Sequence, residues 1–272
     1  MKYGNDLQQR KNDLEKTTTK ITFLGTAACI PTAGHDTASF IINGKHLVDV
    51  GWYSAIKMLN YGFSPLDMET VFISHCHHDH YMGLPQILFY LTMQRSQRPE
   101  KSPVKIVGPE ADIRRVVDLA YSLLQIERFP ELQFIFEVIP VSPGESLDIS
   151  ELHVDTCETI HPVQGLCYRF TDKRTQSSFV YTGDTAYHPP IADHATGASL
   201  LIHEASHGPN TSTDRYAHSG SLEAAKIAQL AGIQQLALIH CPESLAQKAI
   251  ATAQQIVPNT FLPEDGQTIE IP

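Results

Sequence analysis

The sequence predicts an α/β fold: a four-layer αββα sandwich in which two mixed β-sheets are flanked by helices. Two observations carry that expectation. Strand-like apolar runs come first and an alternation of helices and strands follows; this order recurs in loose outline in the second half of the chain. A sheet covered by helices on one face must bury its other face, and a second such sheet covers it. No internal repeat and no low-complexity tract accompanies the two halves.

Residues 1–18 are polar, carry no clear apolar stripe and read as a leader, mobile or a surface helix, ahead of one domain over 19–272. Ile21-Thr22-Phe23-Leu24 and residues 38–42 read as strands, and Asn43-Gly44 marks a hairpin joining the second to 46–50. A helix is expected from Tyr53 to Asn60 and a strand over 70–74. Leu84, Ile87, Leu88 and Leu91 then give helical spacing to about Gln94. The Pro/Ser/Lys-rich Ser96–Pro103 is a connection. Strand Val104–Val107 leads through Gly108-Pro109 into a helix with Ile113, Val116, Val117, Ala120, Leu123 and Leu124 apolar. Strand-like runs follow at 132–139, 146–149, 151–160, Leu166–Thr171 and Ser178–Thr182. The last third alternates strand 199–203, helix 221–231, strand 235–239, helix 243–254 and a terminal strand near Thr268–Ile271.

With 272 residues, 42% apolar and 8% aromatic, the chain has the makeup of an ordinary globular protein. No run nears the ~20 apolar residues of a membrane helix, so no membrane partner is expected. Met1 to Lys20 has no apolar stretch suited to a signal peptide. Five cysteines, odd in number and without CxxC spacing, favour reduced thiols in a cytoplasm. Thirty acids against twenty lysines and arginines give a net charge of −10. That is the reverse of a nucleic-acid footprint, so a small-molecule substrate is favoured over RNA.

Residues 75–80 read His-Cys-His-His-Asp-His, after the apolar run Val71-Phe72-Ile73-Ser74 and before the helical pattern. On an extended strand end, residues two apart point the same way, so His75 and His77 can grip one ion. Asp79 and His80 fall where the chain turns into a helix and can face a second. Imidazole with carboxylate suits zinc or another first-row divalent metal. Metal binding is read here rather than a solvated His-rich loop, with His78 expected to point away. Three more candidates close apolar runs further on: His161, Asp184 and His240.

His-x-His-x-Asp-His after a strand, with His161, Asp184 and His240 in that order, resembles the metallo-β-lactamase fold hydrolases over nearly the whole chain from residue 20. Three further segments are similar to the ribonuclease Z-like, phosphodiesterase branch. They are Leu24-Gly25-Thr26-Ala27-Ala28 with Pro31-Thr32, His203-Glu204-Ala205-Ser206, and Ala217-His218-Ser219-Gly220. Asp184 with all-histidine companions looks unlike the β-lactam hydrolases, which generally lack this acid. It also differs from the di-iron flavoproteins, which place a carboxylate where His77 stands.

The resemblance implies a hydrolase with two divalent metal ions, zinc foremost and manganese or iron as alternates. One ion would take His75, His77 and His161, the other Asp79, His80 and His240, with Asp184 and a hydroxide bridging them. It further implies Asp79 as proton acceptor and Glu204 orienting His218 beside the scissile phosphate. Asp49 would brace the metal loop without ligating, and Ser219 would assist from behind or cap the following helix. Cys76 and Cys241 are expected to be small buried residues.

Transfer-RNA-processing members commonly carry a long basic arm, in many of them between the counterparts of His161 and Asp184. Here only Pro162 to Gly183 intervene, enough for two strands and a turn at Thr171-Asp172-Lys173-Arg174-Thr175. The expected activity is therefore hydrolysis of a small or cyclic phosphodiester. A tRNA 3′ endonuclease, a sulfatase or lactonase, and a non-catalytic metal-binding accessory protein are the alternatives. A homodimer is a further expectation of the resemblance.

Overall fold

A computed structural model describes residues 18–98, 102–132, 136–211 and 215–272. The expected leader lies outside the described residues except for Thr18, as do 99–101 of the connection and 133–135 of the run expected over 132–139.

Strands β1 (Thr19–Gly25), β2 (Ser39–Ile42), β3 (His46–Val48), β4 (Thr70–Phe72), β5 (Val104–Pro109) and β6 (Phe136–Val141) form one sheet with β14 (Thr268–Ile271), which lies beside β1. The second sheet runs in chain order through β7 (Ser146–Ile149), β8 (Leu152–Glu158), β9 (Leu166–Asp172), β10 (Ser178–Tyr181), β11 (Leu200–Glu204), β12 (Gln235–Ile239) and β13 (Asn259–Phe261). Both sheets share one pattern, three antiparallel pairings and then three parallel ones. Parallel neighbours need crossovers, and helices supply them. The first half uses α1 (Ser54–Asn60), α2 (Leu84–Met93) and α3 (Ile113–Leu123). The second uses α4 (Pro190–Ala195), α5 (Ser221–Leu230) and α6 (Ala246–Ala253). This is the expected four-layer sandwich with mixed sheets. No helix among the described residues is long and apolar enough to cross a membrane.

Strand alternation sorts the side chains into three cores. On β4, Phe72 points between the sheets, while Val71 and, just past the strand, Ile73 point out to the helices. On β11, Leu200 and Ile202 face in and Leu201 faces the second helical layer. Burial on both faces explains why these strands read as unbroken apolar runs. The inner core is aromatic: Phe72 lies 5.1 Å from Phe170 and 5.7 Å from Tyr168, both edge-on. Phe72→Ala is expected to destabilise the fold by about 3–5 kcal/mol, read as a lower denaturant midpoint at unchanged slope.

Two elements escaped the sequence reading. Helix α4 has six residues opened by Pro190, too short to show a helical period, and β13 has three. The helix expected over 243–254 begins as a 3-10 turn, Glu243–Leu245, before α6. The Asn43-Gly44 hairpin is present, with φ of 51° and 73° at the two positions.

Candidate active site

The site residues gather where strands of both sheets end. His75 follows β4, His161 follows β8, Asp184 follows β10, Glu204 closes β11 and His240 follows β12. Gly183 lets the β10 loop reach the motif strand. Its φ is +58°, and a Cβ there would lie 2.9 Å from Ser74 Cβ. His240, Asp49 and Ala217 also adopt left-handed backbone, with φ of 53°, 52° and 54°. Side chains rarely hold that conformation without surrounding support. At His240 the support includes a hydrogen bond from its backbone N–H to the Thr26 carbonyl, 2.9 Å.

Two donor groups form. His75, His77 and His161 each place one ligand atom within 4.8 Å of the others, and so do Asp79, His80, Asp184 and His240. Asp184 Oδ2 lies between the groups, 3.7 Å from His75 Nε2 and 3.5 Å from both His80 Nε2 and His240 Nε2. His161 Nε2 sits 2.9 Å from His77 Nδ1, and His240 Nε2 3.1 Å from Asp79 Oδ2. His78 is exposed and belongs to neither group.

Electrostatics divides the two groups. Burial pushes His75, His77 and His161 below the ordinary imidazole range, His161 to about 4. They are neutral rings with lone pairs to offer, as ligation requires. Burial opposes charge on His80 as well, but Asp184, Asp49 and Asp79 outweigh it and hold that ring well above its ordinary value. Burial likewise works against Asp184, yet His240, His80 and His75 keep it well below the usual carboxylate range. This second group thus concentrates anionic oxygens in a dry place, where charges must be paired or coordinate a metal.

The donors fit divalent cations. His75 Nε2 and His80 Nε2 are buried without a hydrogen-bond partner, an arrangement that leaves about 1–3 kcal/mol per group unrecovered. Both face Asp184 Oδ2, and a cation would satisfy them. Their opposite nitrogens are anchored: His75 Nδ1 lies 3.1 Å from Ser74 Oγ, and His80 Nδ1 bonds Asp49 Oδ2 at 2.7 Å. Such outer hydrogen bonds fix ring orientation in metal sites.

Asp49 is the hub behind the motif and is fully buried. It accepts from Ser74 N, Ser74 Oγ, His80 Nδ1 and Tyr181 Oη, all at 2.7 Å. Glu204 Oε1 pairs with His218 Nδ1 at 2.9 Å and accepts from Thr185 N at 2.8 Å. His218 stacks 5.7 Å from the His240 ring and lies 5.2 Å from His161, so it spans both groups. Ser219 is not the helix cap. Helix α5 is capped by Gly220, whose N–H donates to Glu223, while the Ser219 hydroxyl donates to the Thr185 carbonyl at 2.6 Å. Cys241 is buried and Cys76 partly so, and burial pushes their thiols up to about 11 and about 12.

Sequence reasoning gave no role to Ser206, Tyr181 or Thr185. Ser206 Oγ touches Glu204, His218 and His240, at 2.8 Å from His240 Nδ1. Thr185 Oγ1 accepts from Ile160 N, tying the His161 loop to the Asp184 loop. Their contacts span long separations, so only the fold reveals them.

A family model described as anti-Pycsar protein Apyc1 matches residues 19–255. The chain belongs to the Apyc1 family. A ribonuclease Z from Halobacterium salinarum is 30% identical to this Apyc1-family chain over 310 aligned positions, covering 94% of it and 98% of the relative. The alignment is longer than the 272-residue chain, so the relative carries segments without a counterpart here. The crystal structure of the metallo-β-lactamase fold protein YhfI from Bacillus subtilis matches with a TM-score of 0.79 at 25% identity, covering 93% of the Apyc1-family chain and 99% of YhfI. Human tRNase Z, short form, has the same fold at a TM-score of 0.71 and 22% identity, with 93% and 99% covered. The Apyc1-family chain is a metal-dependent hydrolase of the metallo-β-lactamase fold, related to the ribonuclease Z branch.

Proposed function

We propose that the protein hydrolyses small phosphodiesters, cyclic ones included, with two divalent cations. His75, His77 and His161 would hold one and Asp79, His80 and His240 the other, with the Asp184 carboxylate set between the two groups. The carrying observation is Asp184 Oδ2, within 3.7 Å of a histidine nitrogen from each donor group. The nitrogen-rich set with two carboxylates suits zinc foremost, with manganese or iron as alternates. When bound, the cations supply Lewis acidity and a water whose pKa is brought toward neutrality.

The chain's own residues do the rest. Asp184 offsets repulsion between two close positive charges, and Asp79 accepts a proton from the attacking water. His218, fixed through Nδ1 by Glu204, gives a proton to the leaving oxygen. Asp49 keeps His80 facing the centre, and Ser219 steadies the Thr185 backbone beside Asp184.

A cleft of about 660 Å³ is lined by Cys241, the residue after His240, and by Thr26, Cys29, Ile30, Glu243 and Glu264 among others. That volume suits a small ligand, and its two carboxylates disfavour a polyanion. The relatives' name supports tRNA 3′ cleavage as a second reading, but the β9–β10 turn is short and the net charge is −10. Membership of the family also supports a role against Pycsar, as its description states. Five free cysteines fit a reducing cytoplasm. Assays of cyclic nucleotides, bis(p-nitrophenyl) phosphate, precursor tRNA, aryl sulfates and lactones, on zinc- and manganese-loaded protein, test the reading. Turnover of cyclic diesters supports it; turnover of sulfates or lactones alone contradicts it.

A homodimer is part of the proposal. Trp52, Tyr53, Ile56, Phe89, Met93 and Leu123 line an apolar groove of about 590 Å³ across α1, α2 and α3, and each is exposed. A contiguous row of exposed apolar side chains across neighbouring helices is what a partner surface would cover. Ile56→Asp combined with Phe89→Glu is expected to convert the dimer to a monomer in sedimentation runs, and a monomeric parent protein would refute this part.

A further inference from the structure

Away from Asp184, β8, β9 and α4 assemble a donor set of different chemistry. Cys157 and Cys167 stand directly opposite each other in the antiparallel β8–β9 register. His194, near the end of α4, completes a group whose ligand atoms all lie within 4.8 Å of one another. Cys167 is fully buried, and Cys157 and His194 are partly so. His194 Nε2 is buried with no hydrogen-bond partner. A buried ring nitrogen left without a partner is one that a cation would satisfy.

We propose that Cys157, Cys167 and His194 form a third cation site, specific for a thiophilic metal of the zinc class and structural in role. Two thiolates and an imidazole suit zinc, whereas the two donor groups around Asp184 offer only nitrogen and oxygen. On binding, the two thiols release their protons to solvent and two metal–sulfur bonds and one metal–nitrogen bond form. No electrons are transferred. The cation ties α4 to the sheet. This helix has only six residues, packed through Ile191, Ala192 and Ala195, and the Arg169 guanidinium on β9 donates to the His194 and Thr196 carbonyls at its end.

Cobalt(II) titration of the full chain under a phosphine reductant tests this, because thiolate ligation gives a sulfur-to-metal charge-transfer band that nitrogen and oxygen donors cannot. The expected result is that band at one equivalent per chain, with three cations per chain by native mass spectrometry. Cys157→Ser and His194→Asn should each lose one cation, and Cys157→Ser the band, while phosphodiester turnover persists. Cys241→Ser, altering a thiol beside His240, should keep the band. Saturation at two cations without the band overturns the proposal even if no variant folds. So does a band that survives Cys157→Ser or disappears in Cys241→Ser. Loss of turnover across all these proteins would count against the phosphodiesterase reading, leaving the band to decide the thiolate site.

Discussion

Asp184→Asn is expected to abolish hydrolysis of bis(p-nitrophenyl) phosphate, with kcat/KM falling about a thousandfold or more. Asp184 is almost fully buried and lies within 3.7 Å of His75, His80, His218 and His240 nitrogens. Its Oδ2 faces histidine nitrogens of both donor groups. The amide keeps the shape and removes the charge, so two cations would be left facing each other with weaker compensation. Losing several kcal/mol of charge stabilisation, at about 1.4 kcal/mol per tenfold in rate, gives that magnitude. Metal content measured on the same sample separates loss of a cation from loss of chemistry. Normal turnover in a metal-replete Asp184→Asn protein would contradict the assignment.

The second large effect is on proton delivery. His218→Ala should lower kcat by about 10²–10⁴ on a cyclic nucleotide, the usual worth of a positioned acid, with metal content unchanged. The loss should be much smaller on bis(p-nitrophenyl) phosphate, whose nitrophenolate departs with little need of a proton. Glu204→Gln should lower kcat in the same direction. However, Glu204 also holds Ser206, which contacts His240 Nδ1 at 2.8 Å, so some metal loss is expected there. Equal losses on both substrates would mean that His218 acts by charge alone.

The fold was legible because both sheets bury two faces and leave long apolar runs, and because helices must fill each parallel crossover. Helix α4 was not legible, since six residues opening on Pro190 cannot show a period of 3.6. At the site, His75, His77, Asp79 and His80 declared themselves by close spacing. His161, Asp184 and His240 became readable through their order at the ends of strands and the family resemblance. Tyr181 and Thr185 carried no signal, and Ser206 only its place in the His203-Glu204-Ala205-Ser206 segment without a role, because a lone hydroxyl gains its role from partners up to 132 positions away, as Tyr181 does from Asp49. Ser219 illustrates a different limit. Its place before a helix fits a cap, yet the helix starts one residue later than that role needs, and the hydroxyl instead holds the Asp184 loop.

Anomalous scattering from crystals of the zinc-loaded protein tests the central claim most directly. The expected result is two peaks about 3.5–4 Å apart, one against His75, His77 and His161, the other against Asp79, His80 and His240, with Asp184 in contact with both. A single peak, or two peaks that do not share Asp184, would contradict it.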